Sequence, residues 1–126
     1  MKTKLSVVAL TALLSVSVQA QTEIQWWHSM GGALGEWVND QAKDFNASQK
    51  DYKIVPTFKG SYDESMTAAI AAFRAGNAPH ILQVFEVGTA TMMASKGAIK
   101  PVGEVMKEAG VPFNQDAYVP AVAGYY

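Results

Sequence analysis

Apolar residues along this chain switch between two spacings, and each switch marks where a strand gives way to a helix. Gln21 to His28 (QTEIQWWH) is short, and Ile24, Trp26 and Trp27 favour a strand. Met30-Gly31-Gly32 then turns the chain. From Leu34 the apolar positions fall at Leu34, Trp37, Val38, Ala42 and Phe45, a helical stripe. Asn39, Asp40, Lys43 and Asp44 take the opposite face, and the polar run Asn46 to Asp51 ends the helix. Tyr52 to Phe58 (YKIVPTF) predicts a second strand. Pro56 has no amide to donate, so this strand belongs at a sheet edge or carries a bulge.

Ser61-Tyr62-Asp63-Glu64 has the spacing of a capping box, with two acids favourable in a first helical turn. Met66, Ala69, Ile70 and Phe73 predict the buried stripe of that second helix, and Gly76-Asn77 its stop. Pro79 to Val84 (PHILQV) predicts a third strand, leading into Phe85-Glu86-Val87-Gly88. Thr89 to Ser95 predicts a short third helix closed by Gly97, and Val102 to Ala109 a shorter amphipathic piece. Val111 to Tyr126 is aromatic and punctuated by proline, without a clear period. Strand and helix alternating three times predict an α/β fold with a mostly parallel sheet. Three strands make a small sheet, and the aromatic ending Gly124-Tyr125-Tyr126 is unlike a polar tail. The expectation is the first portion of something longer.

The first twenty residues stand apart. Lys2 and Lys4 precede a run of apolar and small residues from Leu5 to Val18, and Val18-Gln19-Ala20 gives the small-x-small pattern of a signal-peptide cleavage site. Fourteen helical residues span only about 21 Å, short of the roughly 30 Å hydrocarbon core. Residues 1–20 are therefore expected to be a cleaved export signal rather than an anchor. No Cys follows the cleavage site, which excludes a lipid anchor of the bacterial lipoprotein type. The mature chain, 21–126, has 106 residues, enough for one unit of ordinary size.

Composition narrows the chemistry. The chain is 49% hydrophobic and 17% charged, which excludes disordered and low-complexity classes. Its net charge of −1 falls to about −3 once Lys2 and Lys4 are removed, so no basic footprint recommends nucleic acid. The absence of Cys removes disulfides, thiol nucleophiles and thiolate metal sites, and two His are too few for a histidine-rich cage. Dinucleotide, phosphate-loop and nucleophile-elbow motifs are all missing. Neither a catalytic set nor a cofactor site is apparent, and a binding protein fits better than an enzyme.

In open α/β sheets ligands bind beyond the carboxyl ends of the strands. Three strand-to-helix loops fall there: Trp27-His28-Ser29-Met30-Gly31-Gly32, Lys59-Gly60-Ser61-Tyr62 and Phe85-Glu86-Val87-Gly88-Thr89. His28 reads as a base, a ligand or a hydrogen-bonded structural residue at a strand end. Trp26 and Trp27 have opposite facings on a strand, so one is expected in the core while the other lines the cleft. Tyr62, at the start of the second helix, either stacks on and donates to a ligand or is an ordinary surface ring. Glu86 follows an apolar strand, where a carboxylate is costly unless hydrogen-bonded. It is thus either turned to water or placed to accept hydrogen bonds from hydroxyls of a polyol or sugar.

Trp27-His28-Ser29-Met30, the stretch Asp51 to Thr57 (DYKIVPT) and the long run AAFRAGNAPHILQVFEVGTATMMASKGAIKPV (Ala71 to Val102) together resemble the periplasmic glycerol-3-phosphate-binding family. Its members are solute-binding subunits of ATP-driven (ABC) importers, and the likeness runs from about Trp26 to the last residue. The resemblance implies a two-lobed receptor several times this length that closes on its ligand by a hinge. This chain would be the first part of the N-terminal lobe. It implies sn-glycerol 3-phosphate as ligand, with glycerophosphodiesters as further candidates, membrane permease subunits as partners, and a monomer in the periplasm. Tyr62 and Glu86 match family positions that contact the ligand; further contacts, including a serine and an arginine, lie beyond residue 126. The strand-helix pattern is shared with maltose-binding-type sugar receptors, which stand as the alternative reading. Half a cleft leaves its ligand solvated on one side, so the chain alone is expected to bind weakly or not at all.

Overall fold

The computed structural model describes residues 21–123. The proposed export signal at 1–20 and the ending Gly124-Tyr125-Tyr126 lie outside them.

Strand β1 (Thr22–His28) is the centre of a three-stranded parallel sheet. It is followed by helix α1 (Gly32–Ser48), strand β2 (Tyr52–Phe58) and helix α2 (Tyr62–Arg74). Strand β3 (Ile81–Leu82) then leads to helix α3 (Glu86–Ala94). The order across the sheet is β2-β1-β3. Strands β1 and β2 pair over their whole length, from Thr22↔Tyr52 to His28↔Phe58. Pro56 sits opposite Trp26 on strand β2, at an edge of the sheet, where the sequence placed it.

The core lies where α1 and α2 meet the sheet. Val38 and Ala42, one helical turn apart on α1, are buried with Ala69 of α2 and His28 of β1. The apolar stripe expected on α1 is buried only at its centre: Leu34 is 60% exposed and Trp37 59% exposed. On α2, Ser65 is fully buried beside Ala69 while Phe73 remains exposed. Asn46 near the end of α1 ties the helix to the sheet, its side chain donating to Ile54 O at 2.9 Å and accepting from Ile54 N–H at 2.7 Å.

The capping box forms as the sequence specifies. Ser61 Oγ accepts from Glu64 N–H, and Glu64 Oε2 accepts from Ser61 N–H at 2.7 Å. The Ser61 backbone N–H, and after it the Ser61 hydroxyl, hold the Glu64 carboxyl below its usual pKa. Gly60 makes this possible: its φ is +80°, and a Cβ there would run into the Glu64 carboxylate. At the other end Gly76 adopts φ +74°, and Asn77 N–H donates to Ala72 O at 2.9 Å, closing α2 where the Gly76-Asn77 signal predicted.

The third βα unit departs from expectation. The strand predicted over Pro79 to Val84 is regular only at Ile81–Leu82, although His80 N–H donates to Gln25 O and Gln83 N–H to Trp27 O on either side. Pro79 has no amide for the ladder, and beyond Gln83 the chain already turns into α3. That helix begins at Glu86 rather than Thr89, with Phe85 as an extended N-cap residue. Val87 and Gly88, weak helix formers, conceal its start in the sequence. Packing holds Gly88 there: it is buried, and a Cβ on it would strike the end of the Met66 side chain and lie 2.8 Å from Val84 Cγ1.

Helix α4 (Val102–Glu108) forms as predicted, with Lys100 paired to Glu108 across it. The aperiodic stretch after Val111 holds a 3-10 turn at Gln115–Ala117 and a short helix α5 (Pro120–Ala123). Among the described residues no helix is long and apolar enough to cross a membrane.

Candidate functional site

A parallel sheet puts the carboxyl ends of all its strands at one edge, so the three βα loops share it. Side chains bind these loops to one another. Ser29 N–H donates to Gln83 Oε1 at 3.0 Å, joining the first loop to the third. Lys59 N–H donates to His28 O at 2.9 Å, and Lys59 Nζ lies 4.0 Å from the centroid of the Trp27 ring, joining the second to the first. The Tyr62 and Phe85 rings pack with centroids 5.2 Å apart and planes inclined by 32°, joining the second to the third.

Tyr62 and Glu86 each occupy the first position of a helix, α2 and α3 respectively. Tyr62 is half-buried against Phe85. Glu86 is exposed, and among the described residues its carboxylate has no hydrogen-bond partner. In the sequence this carboxylate falls at the end of an apolar strand, where burial demands a partner. The observed position removes that demand. A first-turn carboxylate faces the positive end of the α3 dipole and is favourable in water. Because Phe85 is both the partner of Tyr62 and the neighbour of Glu86, the phenol and the carboxylate belong to one corner of the edge.

His28 is structural in its surroundings. It is 3% exposed, its ring lying between Trp26 and Phe58 with centroid distances of 6.1 Å to each. Burial pushes its pKa below the usual imidazole value, and an interaction with the Met30 backbone partly opposes that shift. Nδ1 finds no partner of good geometry among the described residues. Trp26 and Trp27 are both half-buried, so neither is the fully buried core residue that their alternation predicted. Beside His28, the start of α1 and the end of β2 bound an open hollow of about 570 Å³, with Gly35, Glu36, Asn39 and Phe58 in its walls.

Sequence reasoning singled out Tyr62 and Glu86 but not Lys59, Gln83 or Phe85, the residues that join the loops. For Phe85 the available signal was its place immediately before an acid at a strand end. Nothing local distinguishes Gln83, whose role is set by the Ser29 amide fifty-four residues away. Among the described residues no three His, Asp or Glu side chains are grouped to hold a metal ion.

A parallel sheet whose βα loops are cross-linked at one edge suits a lobe that presents a ligand surface. The family model of bacterial extracellular solute-binding proteins matches residues 29–126, and the chain belongs to that family. Particular relatives are closer still. The chain is 60% identical over 121 residues to the sn-glycerol-3-phosphate-binding periplasmic protein UgpB of Escherichia coli (strain K12), an alignment covering 96% of this chain and 27% of that protein. The protein of the same name from Yersinia pestis bv. Antiqua is also 60% identical, over 119 residues, covering 94% of this chain and 27% of its own length. The chain thus spans about a quarter of the length of these relatives, which are named as binding proteins.

Proposed function

We propose that this chain forms the first part of the N-terminal lobe of a periplasmic receptor that captures sn-glycerol 3-phosphate for an ABC importer. Residues 1–20 act as a cleaved export signal, and 21–126 contribute one wall of the ligand cleft. One observation carries the reading: within a chain 60% identical to glycerol-3-phosphate binders, Tyr62 and Glu86 open two helices that Phe85 brings together. The Tyr62 hydroxyl donates to a ligand oxygen, and the Glu86 carboxylate accepts from the glycerol hydroxyls. A carboxylate placed on the phosphate would repel it, so the phosphate lies away from Glu86. Lys59 supplies a positive charge on the same rim. The protein binds and releases its ligand unchanged, as a monomer that delivers to membrane permease subunits, and uses neither cofactor nor nucleic acid.

Closure between two lobes strengthens each polar contact by excluding water, so the test needs both walls. In a chimera, residues 21–126 of this chain replace the matching stretch of the E. coli relative. Titration calorimetry with glycerol 3-phosphate is expected to give tight binding to the chimera and weak or no binding to this chain alone. Glu86→Gln in the chimera is expected to lose about 1.5–3 kcal/mol of binding, the range for a charge-assisted hydrogen bond. Maltose displacing glycerol 3-phosphate would favour the sugar-receptor alternative, and a chimera that binds neither overturns the receptor reading.

A further inference from the structure

Two residues on the ligand surface must keep a fixed separation if both are to reach one small molecule, because misplacement costs affinity. Tyr62 and Glu86 lie on different helices twenty-four positions apart, and their relation is set by whatever locks the start of α2 to the start of α3. The structure shows that lock in two layers. On the outside, the Phe85 ring packs against Tyr62 at 5.2 Å. Beneath it, buried Gly88 is closed over by Met66, one turn along α2 from Tyr62, and by Val84. The Gly88 amide donates back to Phe85 O at 2.8 Å, fixing the N-cap backbone that carries the ring.

We propose that Phe85 is a positioning residue for ligand capture: its ring holds the Tyr62 phenol at the distance from Glu86 that a glycerol-sized ligand requires, without itself touching the ligand. This rests on the receptor reading above and assigns a role to a residue between the two proposed contacts. At 41% exposure the Phe85 ring is far from core packing, so its removal affects the Tyr62 ring more than overall stability. The loss should be one of orientation. It should require Tyr62 to be present, and another ring should restore it.

The experiment uses the same chimera. Phe85→Leu is expected to weaken glycerol 3-phosphate binding about five- to tenfold, within the two- to twelvefold range of an aromatic pair, with the melting temperature within a few degrees of the parent. Phe85→Tyr is expected to stay within about twofold of the parent. In a Tyr62→Ala background, Phe85→Leu should have less than about a twofold effect. The inference is overturned if Phe85→Leu binds like the parent, or if it weakens binding equally with and without Tyr62, the mark of a merely structural role. A parent chimera that fails to bind glycerol 3-phosphate overturns the receptor reading and this inference with it. A parent that binds while Phe85→Leu is silent overturns this inference alone.

Discussion

The first two βα units and the segment that follows them are built to different standards. From Thr22 to Arg74, two seven-residue strands pair in full register, and helices of 17 and 13 residues hold Val38, Ala42, Ser65 and Ala69 in the interior. From Ile81 to Ala123 the strand has two residues, the helices are short, and Gly88 alone is buried among the described residues. Large apolar side chains stand in the open in both, Leu34 and Trp37 in the first as well as Val87 and Val119 in the second, but only the first also buries several apolar residues. The second segment is nonetheless richer in apolar residues than the first. Hydrophobic content does not decide order; what decides is whether each apolar side chain finds another to cover it.

The largest test of this contrast is a matched pair of substitutions. Val38→Asp puts a carboxylate at a 2% exposed position, and an unpaired buried charge costs at least about 3 kcal/mol. A small unit should be largely unfolded by it. Val87→Asp, on the exposed side of α3, is expected to change stability by less than about 0.5 kcal/mol. Urea unfolding followed by circular dichroism compares the two, and equal losses would break the distinction.

Gly88→Ala probes the seam between the regions. Its Cβ would collide with the Met66 side chain end and crowd Val84 Cγ1, so overpacking of about 1–2 kcal/mol is expected. Met66→Ala in the same chain should recover part of that loss, because a flexible end would no longer be in the way. Hydrogen exchange should place the disturbance at the starts of α2 and α3 and leave β1 and β2 protected. Ser61→Ala follows in size, at about 1 kcal/mol for the lost cap, and should fray only the first turn of α2.

How much of this was legible in the sequence follows the same boundary. Strand β2, the Ser61–Glu64 box and the Gly76 stop rest on short-range chemistry, and each lies where the residues predict. Pro56 on an edge strand is equally local, since it concerns one missing amide. The start of α3 was not legible, because Val87 and Gly88 argue against a helix that packing with Met66 and Val84 imposes. Which stripe residues are buried was also out of reach: Leu34 and Val38 read alike, and only the placement of α1 over the sheet separates them. Of the proposed site, Tyr62 and Glu86 stand out in the sequence through their places at loop ends. The contact through Phe85 joins residues twenty-three positions apart and has no local signature.

The smallest effect tests the first region through its one buried ionisable ring. Burial lowers the His28 pKa in the folded chain below the value of about 6.5 that it takes once unfolded. Between those two values the unfolded chain binds more protons, so stability rises with pH across that window. The contribution from keeping His28 neutral is therefore complete above about pH 6.5 and is lost progressively as the pH falls below it. Melting temperature should decline from pH 7 to pH 5, and His28→Gln, which cannot take up the proton, should flatten that decline. If the variant keeps the full slope, the acid sensitivity arises elsewhere, and the interior between Trp26 and Phe58 is wetter than the 3% exposure of His28 implies.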